Sequence, residues 1–314
     1  MPNEAVQIEQ QQGYENRDIE LFLSGNQNLE IDLQFGISEL NRYLEDLQML
    51  QLGVPFSELG IYARRQSKQP RVMCLDGVNN GTYSFASWRD LYSKREIPQN
   101  SIALLQLSGI MRSQSAMSSP GIDSFVEDLM NAYNHPNVMG IIIETNSGGG
   151  ESLAGNMLNS AIQDRNKPVV GFGHLVASAA YRALSGADEI IASSEASEFG
   201  SIGTMISLDS KILNKYRSRF ADFYGGSAPG KNSDFRAAIS GDFSGIQKRV
   251  DELTLSFQNQ IKASRQLRGS ENTINETVNG SMFNAIESKK RGLVDMVGTM
   301  QTAVKRVKAL RGKY

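Results

Sequence analysis

A single serine flanked by small residues stands in the segment VASAAYRA, where Ser178 follows Ala177 and precedes Ala179. A serine at the start of a helix usually caps it by accepting a hydrogen bond from the first N–H groups. A serine whose small neighbours leave it accessible can also act as a nucleophile, provided that a base takes its proton. The local sequence leaves both interpretations of Ser178 open.

A second segment suited to chemistry is TNSGGGES, which contains three consecutive glycines at the end of an apolar run. Glycines allow a backbone to approach a ligand closely, and the start of the following helix favours an anion. The segment matches neither GxGxxG nor a phosphate loop, so by itself it is typical of a tight turn. Together with Ser178 it predicts an oxyanion site, in which the Ala179 N–H group would be a second donor.

A serine nucleophile needs a base, and the chain has only two histidines, His135 and His174. His135 lies in the turn YNHPN, where we expect it to be exposed. His174 lies in the connection before Ser178 without an evident orienting acid, so we interpret it as a turn histidine with satisfied partners. Lysine can replace histidine as the base if burial lowers its pKa from ~10.4. Lys231, in the segment DFYGGSAPGKNSDF, is that candidate, and an exposed loop lysine is the alternative.

From residue 101 onward the sequence predicts alternating strands and helices, and these elements must position the candidate residues. Apolar strands are predicted at SIALLQLSGIM, VMGIIIETNSGGG, KPVVGFG, DEIIAS and GSIGTMIS, and helices at GIDSFVEDLMNAY, SLAGNMLNSAI, VASAAYRALSG and residues 242–268. This pattern predicts an α/β fold with a parallel sheet covered by helices on both faces. In such sheets ligands bind where strands end and helices begin, which is where both segments lie.

The first third of the chain follows another pattern. Residues 1–35 are rich in Gln, Asn and Glu, which predicts partial disorder, and residues 37–47 have the periodicity of an amphipathic helix. Asn80-Gly81 indicates a hairpin between two short strands. We therefore expect an N-terminal extension over residues 1–100 and a second domain over residues 101–314.

The composition narrows the function classes. The 314 residues carry a net charge of -2, which argues against a dedicated nucleic-acid-binding protein. Cys74 is the only cysteine, which excludes an intramolecular disulfide and a cysteine-based metal cluster. The chain has neither the pattern of a signal peptide nor an apolar run near the ~18 residues of a membrane span. We expect a cytoplasmic protein with no integral membrane segment.

Five motifs, in order from residue 101 to about residue 297, resemble peptidase family S49, the signal-peptide-peptidase and phage capsid-protease group. They are Asn146-Ser147-Gly148-Gly149-Gly150, Ala177-Ser178-Ala179-Ala180-Tyr181, Gly200-Ser201-Ile202-Gly203, Gly230-Lys231 and Gly292-Leu293-Val294-Asp295. The resemblance implies a Clp-protease/crotonase-like fold, in which a stacked parallel sheet is flanked by helices.

The resemblance also implies a Ser–Lys dyad, in which Ser178 is the nucleophile and Lys231 is the base. The N–H groups of Gly149 and Ala179 would hold the oxyanion. Ser201 matches a family position that helps to orient the lysine, and a purely structural role for this serine is the alternative. The supporting positions of the site would be Ser147, Gly148, Gly150, Tyr181 and Ser201.

The implied activity is that of an ATP-independent serine endopeptidase that needs no metal or cofactor. Its substrates would be scaffold or capsid-precursor polypeptides of a phage or prophage, and it would work as a homo-oligomeric ring in the host cytoplasm or the procapsid. Ala179-Ala180 resembles the phage branch, and a signal-peptide-peptidase-like protease is the first alternative. A catalytically silent structural homologue is the second, because Gly148 replaces the family proline. An acyl-CoA enzyme of the crotonase group is less favoured, because that group uses no serine nucleophile.

Overall fold

The structure is a computed structural model, and it describes residues 97–115, 120–208, 214, 218 and 221–314. For residues 29–31, 71–75 and 83–87 it describes the backbone alone. The helix predicted over residues 37–47 and most of the segment predicted to be disordered, residues 1–35, lie outside the described residues. The chain divides into two compact units. The smaller comprises Met1–Leu29 and Thr204–Ser256, and the larger comprises Glu30–Gly203 and Phe257–Tyr314.

The larger unit is built on a nine-stranded sheet, and β1 and β6 form a separate two-stranded sheet. The strands are β1 (Leu29–Ile31), β2 (Arg71–Leu75), β3 (Tyr83–Ser87), β4 (Ser101–Ser108), β5 (Val138–Ser147), β6 (Gly149–Glu151), β7 (Val169–Ala177), β8 (Glu189–Ala192), β9 (Glu198–Gly200), β10 (Met282–Asn284) and β11 (Met296–Val297).

The helices of the described residues are α1 (Ile122–Asn134), α2 (Ser152–Gln163), α3 (Ala179–Leu184), α4 (Ser233–Ile239), α5 (Ser244–Ser264), α6 (Glu271–Thr277), α7 (Ala285–Arg291) and α8 (Met300–Leu310), followed by a short 3-10 helix (Arg311–Lys313). The helices predicted after the first two buried strands correspond to α1 and α2. The long helix predicted over residues 242–268 corresponds to α5.

The order of the large sheet is β10-β9-β7-β5-β4-β2-β3, with β8 also beside β7 and β11 beside β8. The central strands β4, β5 and β7 pair in parallel, and β7 pairs in parallel with both β8 and β9. Because β7 changes partner from β8 to β9 part of the way along its length, its last residues and the helix after them are positioned by β9.

Helices cover the sheet on both faces. One face packs against α1, α2 and α3 through a large apolar cluster that contains Ile143 and Leu158. The opposite face packs against α8 through a smaller cluster that contains Ile142 and Val304. Ile142 and Ile143 belong to different clusters because successive side chains of a strand point to opposite faces. The predicted α/β fold, with a parallel-stranded core between helices, is confirmed.

Two strands before residue 100, β2 and β3, join the large sheet. β2 and β3 pair antiparallel, with Leu75 opposite Tyr83, and β2 also pairs antiparallel with β4. This is the pairing expected from the Asn80-Gly81 signal, whose own residues lie outside the described ones.

Two elements differ from their predicted bounds around Ser178. β7 continues to Ala177, although the sequence predicts a helix from Val176, because Val176 and Ala177 pair with Phe199 and Gly200 of β9. β9 ends at Gly200, so the segment GSIGTMIS is strand only at its first residue. Sheet pairing overrides the helical pattern of VASAAYRA, and it places Ser178 directly at the junction of β7 and α3.

Within the smaller unit, the residues just before α4 form a compact turn that packs against the start of this helix. The Arg236 guanidinium lies over the ring of Tyr224, 4.6 Å from its centroid, and donates to the Pro229 carbonyl. The Lys231 N–H group donates to the carbonyl oxygen of Ala228 at 3.1 Å. These contacts form the local frame of Lys231.

Candidate active site

Ser178 forms a strained junction between β7 and α3. Its backbone has φ 55° and ψ -123°, a combination that L-residues rarely adopt. Its N–H group donates to the Gly200 carbonyl at 2.9 Å, and its carbonyl accepts from the Arg182 N–H group at 2.9 Å. Strain of this kind costs on the order of 1–3 kcal/mol and persists only when the surroundings impose it. A sharp strand-to-helix turn with a strained serine is the geometry of a nucleophile elbow.

The side chain of Ser178 does not cap the helix. Ser178 occupies the position before α3, but its hydroxyl makes no capping hydrogen bond. The hydroxyl is buried, and it forms no hydrogen bond with any residue that the structure describes. The capping interpretation is therefore wrong for the side chain of Ser178. A buried hydroxyl without a partner costs free energy, so its retention points to a function.

The glycine turn is held by Ser147 and Met111. The Ser147 hydroxyl donates to the Gly109 carbonyl at 2.6 Å and accepts from the Gly149 N–H group at 3.1 Å. On the other side, the Met111 N–H group donates to the Gly149 carbonyl at 2.9 Å, and the Glu151 N–H group donates to the Met111 carbonyl at 2.9 Å. The N–H group expected to bind an oxyanion therefore has a partner, Ser147, in this structure.

Two glycines of this turn are required by its geometry. Gly149 has φ 100°, in the region that favours glycine. A Cβ atom on Gly150 would lie 2.1 Å from the Met111 carbonyl oxygen, closer than any real contact. Gly148 stands where the related motif has proline, and it is buried with its neighbours in this turn. The bonds to Gly109 and Met111 fix the turn from both sides.

The small residues after Ser178 allow two helices to meet. A Cβ atom on Gly155 of α2 would lie 2.9 Å from the carbonyl oxygen and 3.1 Å from the Cβ atom of Ala179. Ala179 and Ala180 are both fully buried. A larger side chain at any of these positions would push α3, and with it the Ala179 N–H group, away from α2.

Gly155→Val is therefore expected to lower the free energy of unfolding by about 1–3 kcal/mol through overpacking. Urea unfolding of the full chain measures this loss. Asn156→Val is the matched control, because Asn156 is exposed on the same helix and the added side chain meets solvent. Equal losses in the two variants would mean that helix propensity, and not the contact with Ala179, sets the cost.

Tyr181 connects the helix of Ser178 to the Gly-Leu-Val-Asp segment. Its hydroxyl donates to the Leu293 carbonyl at 2.8 Å, and burial raises the pKa of Tyr181 well above its usual range. Two residues later, Asp295 accepts from the Arg265 guanidinium at 2.8 Å and from the Ile190 N–H group at 2.7 Å. The motif residue Asp295 therefore has structural partners, and sequence reasoning did not find its pairing with Arg265.

Ser201 follows β9 directly, with φ 53° and its N–H group donating to the Ser281 carbonyl at 2.9 Å. The preceding Gly200 is the residue that accepts from the Ser178 N–H group. A Cβ atom on Gly200 would lie 2.3 Å from the Ser281 carbonyl oxygen. The Gly-Ser-Ile-Gly motif thus fixes the backbone of Ser178.

Lys231 belongs to the smaller unit, whereas Ser178 belongs to the larger one. Within its own unit the Lys231 side chain is exposed. A different lysine, Lys167, has its pKa lowered to about 8 by burial, and its ammonium group donates to the carbonyls of Ala132 and His135. Lys167 precedes β7, whereas Ser178 follows it. A nine-residue strand is about 30 Å long, so Lys167 cannot serve Ser178.

The two histidines have other partners. His135 is half-buried, and burial and the charge of Lys167 lower its pKa. His174 lies within β7, not in a turn, with its Nδ1 atom 2.8 Å from the Ser193 hydroxyl and its Nε2 atom 3.2 Å from a Glu144 oxygen. The interpretation of His174 as a turn histidine is corrected, and Glu144 is the orienting acid that the sequence did not reveal. Thirty residues separate the two, so no local pattern could have shown the pair.

Two negative findings concern only the described part of the chain. No helix there has both the length and the apolar character to cross a membrane. No group of three or more His, Cys, Asp or Glu side chains there could hold a metal ion.

Known proteins match part of this chain. The chain is 30% identical over 181 residues to "Putative protease MJ0651" of Methanocaldococcus jannaschii, a match that covers 55% of this chain and 56% of that protein. It is 28% identical over 226 residues to Protease 4 of Haemophilus influenzae, which covers 67% of this chain and 35% of that protein. The chain thus matches about half and about a third of the lengths of these two curated relatives.

Among solved structures, a ClpP1 mutant from Listeria monocytogenes matches with a TM-score of 0.42 and 14% identity, over 64% of this chain and 94% of that chain. The family model of Peptidase family S49 matches residues 161–313, which include Ser178, Lys231 and Asp295. The matched residues contain four of the five motifs, and the glycine turn at residues 146–150 lies before them. Residues 161–313 of this chain are therefore similar to peptidase family S49.

Proposed function

We propose that this protein is an ATP-independent serine endopeptidase in which Ser178 is the nucleophile and Lys231 is the general base. The observation that carries the proposal is the conformation of Ser178. A buried serine that neither caps its helix nor finds a partner among the described residues, on a backbone that costs free energy, has no structural role that explains it. The match of residues 161–313 to peptidase family S49 supports the same activity.

The proposed oxyanion donors are the N–H groups of Gly149 and Ala179. Ala179 is the first residue of α3, so helix geometry leaves its N–H group without an intrahelical acceptor. The Gly149 N–H group donates to the Ser147 hydroxyl at 3.1 Å, a distance at the long end for N–H···O. A developing oxyanion would replace that weaker partner, because a hydrogen bond to a charged acceptor is about twice as strong.

The proposed substrate is an extended polypeptide that adds to the edge of β6. In this structure β1, a strand of the same chain, pairs with β6, which supports strand addition next to Gly149. Ser178 is only 1% exposed, so a substrate has to replace what covers the hydroxyl. We propose that a substrate strand takes the place of β1 beside the glycine turn.

In the proposed reaction Lys231 is neutral and accepts the proton of Ser178 as the hydroxyl oxygen attacks the peptide carbonyl. The tetrahedral oxyanion is held by Gly149 and Ala179. Lys231 then gives its proton to the leaving amine, and the C–N bond breaks to leave an acyl-serine. Water repeats these steps on the acyl group and releases the carboxylate product.

The base requires a further condition. Lys231 is exposed within its unit, and a lysine acts as a base only when it loses its proton. The proposal therefore requires that the Lys231 amino group reach Ser178 and be shielded from solvent there. Ser201 is the residue proposed to orient this amino group. Assembly of a homo-oligomeric ring around the sites is part of the same proposal, since confinement both excludes water and limits stray cleavage.

For the natural substrate we propose scaffold or capsid-precursor polypeptides. The support is the likeness of Ala177-Ser178-Ala179-Ala180-Tyr181 to the phage branch of the motif. Signal-peptide-like segments are the alternative, and the two substrate classes can be offered side by side.

The test compares the wild type with variants of Lys231. The substrates are an unfolded polypeptide such as denatured casein, a capsid-precursor peptide and a signal-peptide-like peptide. Intact-mass analysis of the full-length wild type should give defined fragments. Lys231→Ala should lower the cleavage rate at least ~10²-fold, and Lys231→Arg should fail equally, because arginine cannot lose its proton. Lys248→Ala, which removes an exposed lysine of α5, is the control that should cleave normally.

Each contrary result has a clear meaning. Full activity in Lys231→Ala would assign the base elsewhere while leaving Ser178 as the nucleophile. Intact substrates in every preparation, the wild type included, would favour the catalytically silent homologue.

A further inference from the structure

A second serine with a base lies on the same sheet and takes no part in the proposed peptidase chemistry. The Ser193 hydroxyl is 2.8 Å from Nδ1 of His174, and Nε2 of the same ring is 3.2 Å from Glu144. The second oxygen of Glu144 accepts from the Gln106 amide at 2.7 Å. Serine, histidine and acid are therefore connected in the order that activates a serine nucleophile.

The strand register brings these residues together. Gln106 of β4 pairs with Glu144 of β5, and Gly173 of β7 pairs with Ala192 of β8. The pairing of β5 with β7 steps from Gly173 to Leu175, so His174 is an extra residue in a β-bulge. Bulges re-aim side chains. Here the bulge lies where β7 changes partner from β8 to β9, which places the imidazole between Glu144 and Ser193.

The acceptor Glu144 selects one tautomer of the neutral His174 imidazole. A carboxylate can only accept, so in this neutral ring Nε2 donates to Glu144 and Nδ1 is the acceptor. The Ser193 hydroxyl then donates to Nδ1, and its oxygen lies 3.0 Å from the Ser197 hydroxyl, which can donate to it in turn. The neutral imidazole is thus oriented as a base toward Ser193, and Glu144 would stabilise the imidazolium that forms.

The group is open to small molecules. The His174 side chain is 44% exposed and that of Glu144 is 23% exposed, and Ser193 is half-buried. The Phe172 ring packs against the imidazole in a T-shaped contact, with ring centroids 5.5 Å apart. A site open to water on a surface suits substrates with a good leaving group, because these need little protonation as they depart.

We propose that Ser193, with His174 as its base and Glu144 as the orienting acid, is a second nucleophilic site that accepts acyl and phosphonyl groups from small activated esters. The Ser193 oxygen attacks the carbonyl carbon of an aryl ester, and its proton passes to Nδ1 of His174. The bond to the phenol breaks, and the phenol leaves with that proton. Water then hydrolyses the acyl-serine, again through His174, and releases the carboxylic acid.

The proposal is independent of the peptidase activity, and the test is built on Ser178→Ala so that the first serine is silent. The substrate is p-nitrophenyl acetate, and the full-length chain is used throughout. Ser178→Ala should release p-nitrophenol and gain one acetyl group on the peptide that contains Ser193. Adding Ser193→Ala or His174→Gln should lower the rate by about 10²-fold, and adding Glu144→Gln should lower it less.

Ser194→Ala in the same background is the matched control, because Ser194 is the exposed neighbour of Ser193 and should leave the rate unchanged. Thermal unfolding of each variant verifies that it is folded. An acetyl group found on Ser194 or on lysines, or a Ser193→Ala rate equal to that of its parent, would overturn the proposal.

Fluorophosphonate labelling of the wild type separates this proposal from the peptidase. Peptide mapping should find two modified serines, Ser178 and Ser193. A label on Ser178 alone would reject the second site and leave the peptidase proposal intact. A label on Ser193 alone would support the second site and count against Ser178 as the peptidase nucleophile.

Discussion

Ser178→Ala is expected to lower the rate of polypeptide cleavage by at least ~10³-fold without loss of stability. Removing a nucleophilic hydroxyl leaves only the catalysis that the oxyanion donors and substrate binding provide. The Ser178 hydroxyl has no hydrogen-bond partner among the described residues, so its removal leaves none of them unpaired. Initial rates of casein hydrolysis, with urea unfolding beside them, measure the two effects.

Ser178→Gly separates the backbone from the hydroxyl at the same position. Glycine adopts a positive φ without the steric cost that Ser178 bears at 55°. Ser178→Gly should therefore be inactive and also more stable than the wild type, by about 1 kcal/mol. Substantial cleavage by Ser178→Ala would remove Ser178 from the mechanism, and a less stable Ser178→Gly would show that the strain has been misjudged.

Asp295→Ala is expected to lower the free energy of unfolding by about 3–5 kcal/mol. Its carboxylate accepts from Arg265, whose side chain is only 6% exposed, and from the Ile190 N–H group. Removing the acid leaves a buried cation and a backbone donor without their partner. The loss should be partly recovered by Arg265→Met in the Asp295→Ala chain, because the uncompensated charge is then also removed.

The control for this pair is an ion pair at the surface. Glu276 is 65% exposed and lies 3.8 Å from Arg291. Glu276→Ala should cost less than about 1 kcal/mol, because solvent screens exposed pairs. Urea unfolding of the four chains forms the comparison. Equal losses in Asp295→Ala and Glu276→Ala would show that the Asp295 pair is not a buried one in solution.

The sequence predicted the elements of the fold well because their signals are local. Uninterrupted apolar runs such as the one that contains Ile141–Ile143 predict buried strands, and the spacing of Leu129 and Tyr133 predicts a helix face. The two turns of the candidate site could be recognised for the same reason. A glycine run after a strand and a lone serine among alanines are both short patterns. The prediction failed at Val176, where pairing with Phe199 of β9 outweighed the helical pattern.

Contacts between distant residues could not be predicted in this way. Arg265 and Asp295 are thirty residues apart, and so are Glu144 and His174. Neither pair has a spacing that one helix or one strand would bring together. Their contacts depend on which strands are neighbours and on the register between those strands.

The sequence by itself determined the α/β alternation, the candidate nucleophile Ser178 and the glycine turn expected to face it. Only the tertiary structure decided that Ser178 is strained and does not cap its helix, because its backbone is held by Gly200 of a different strand. The tertiary structure likewise decided that His174 faces Ser193. The physical reason is the one-residue bulge in β7, since a shift of one residue changes the direction of a side chain and is set by sheet pairing.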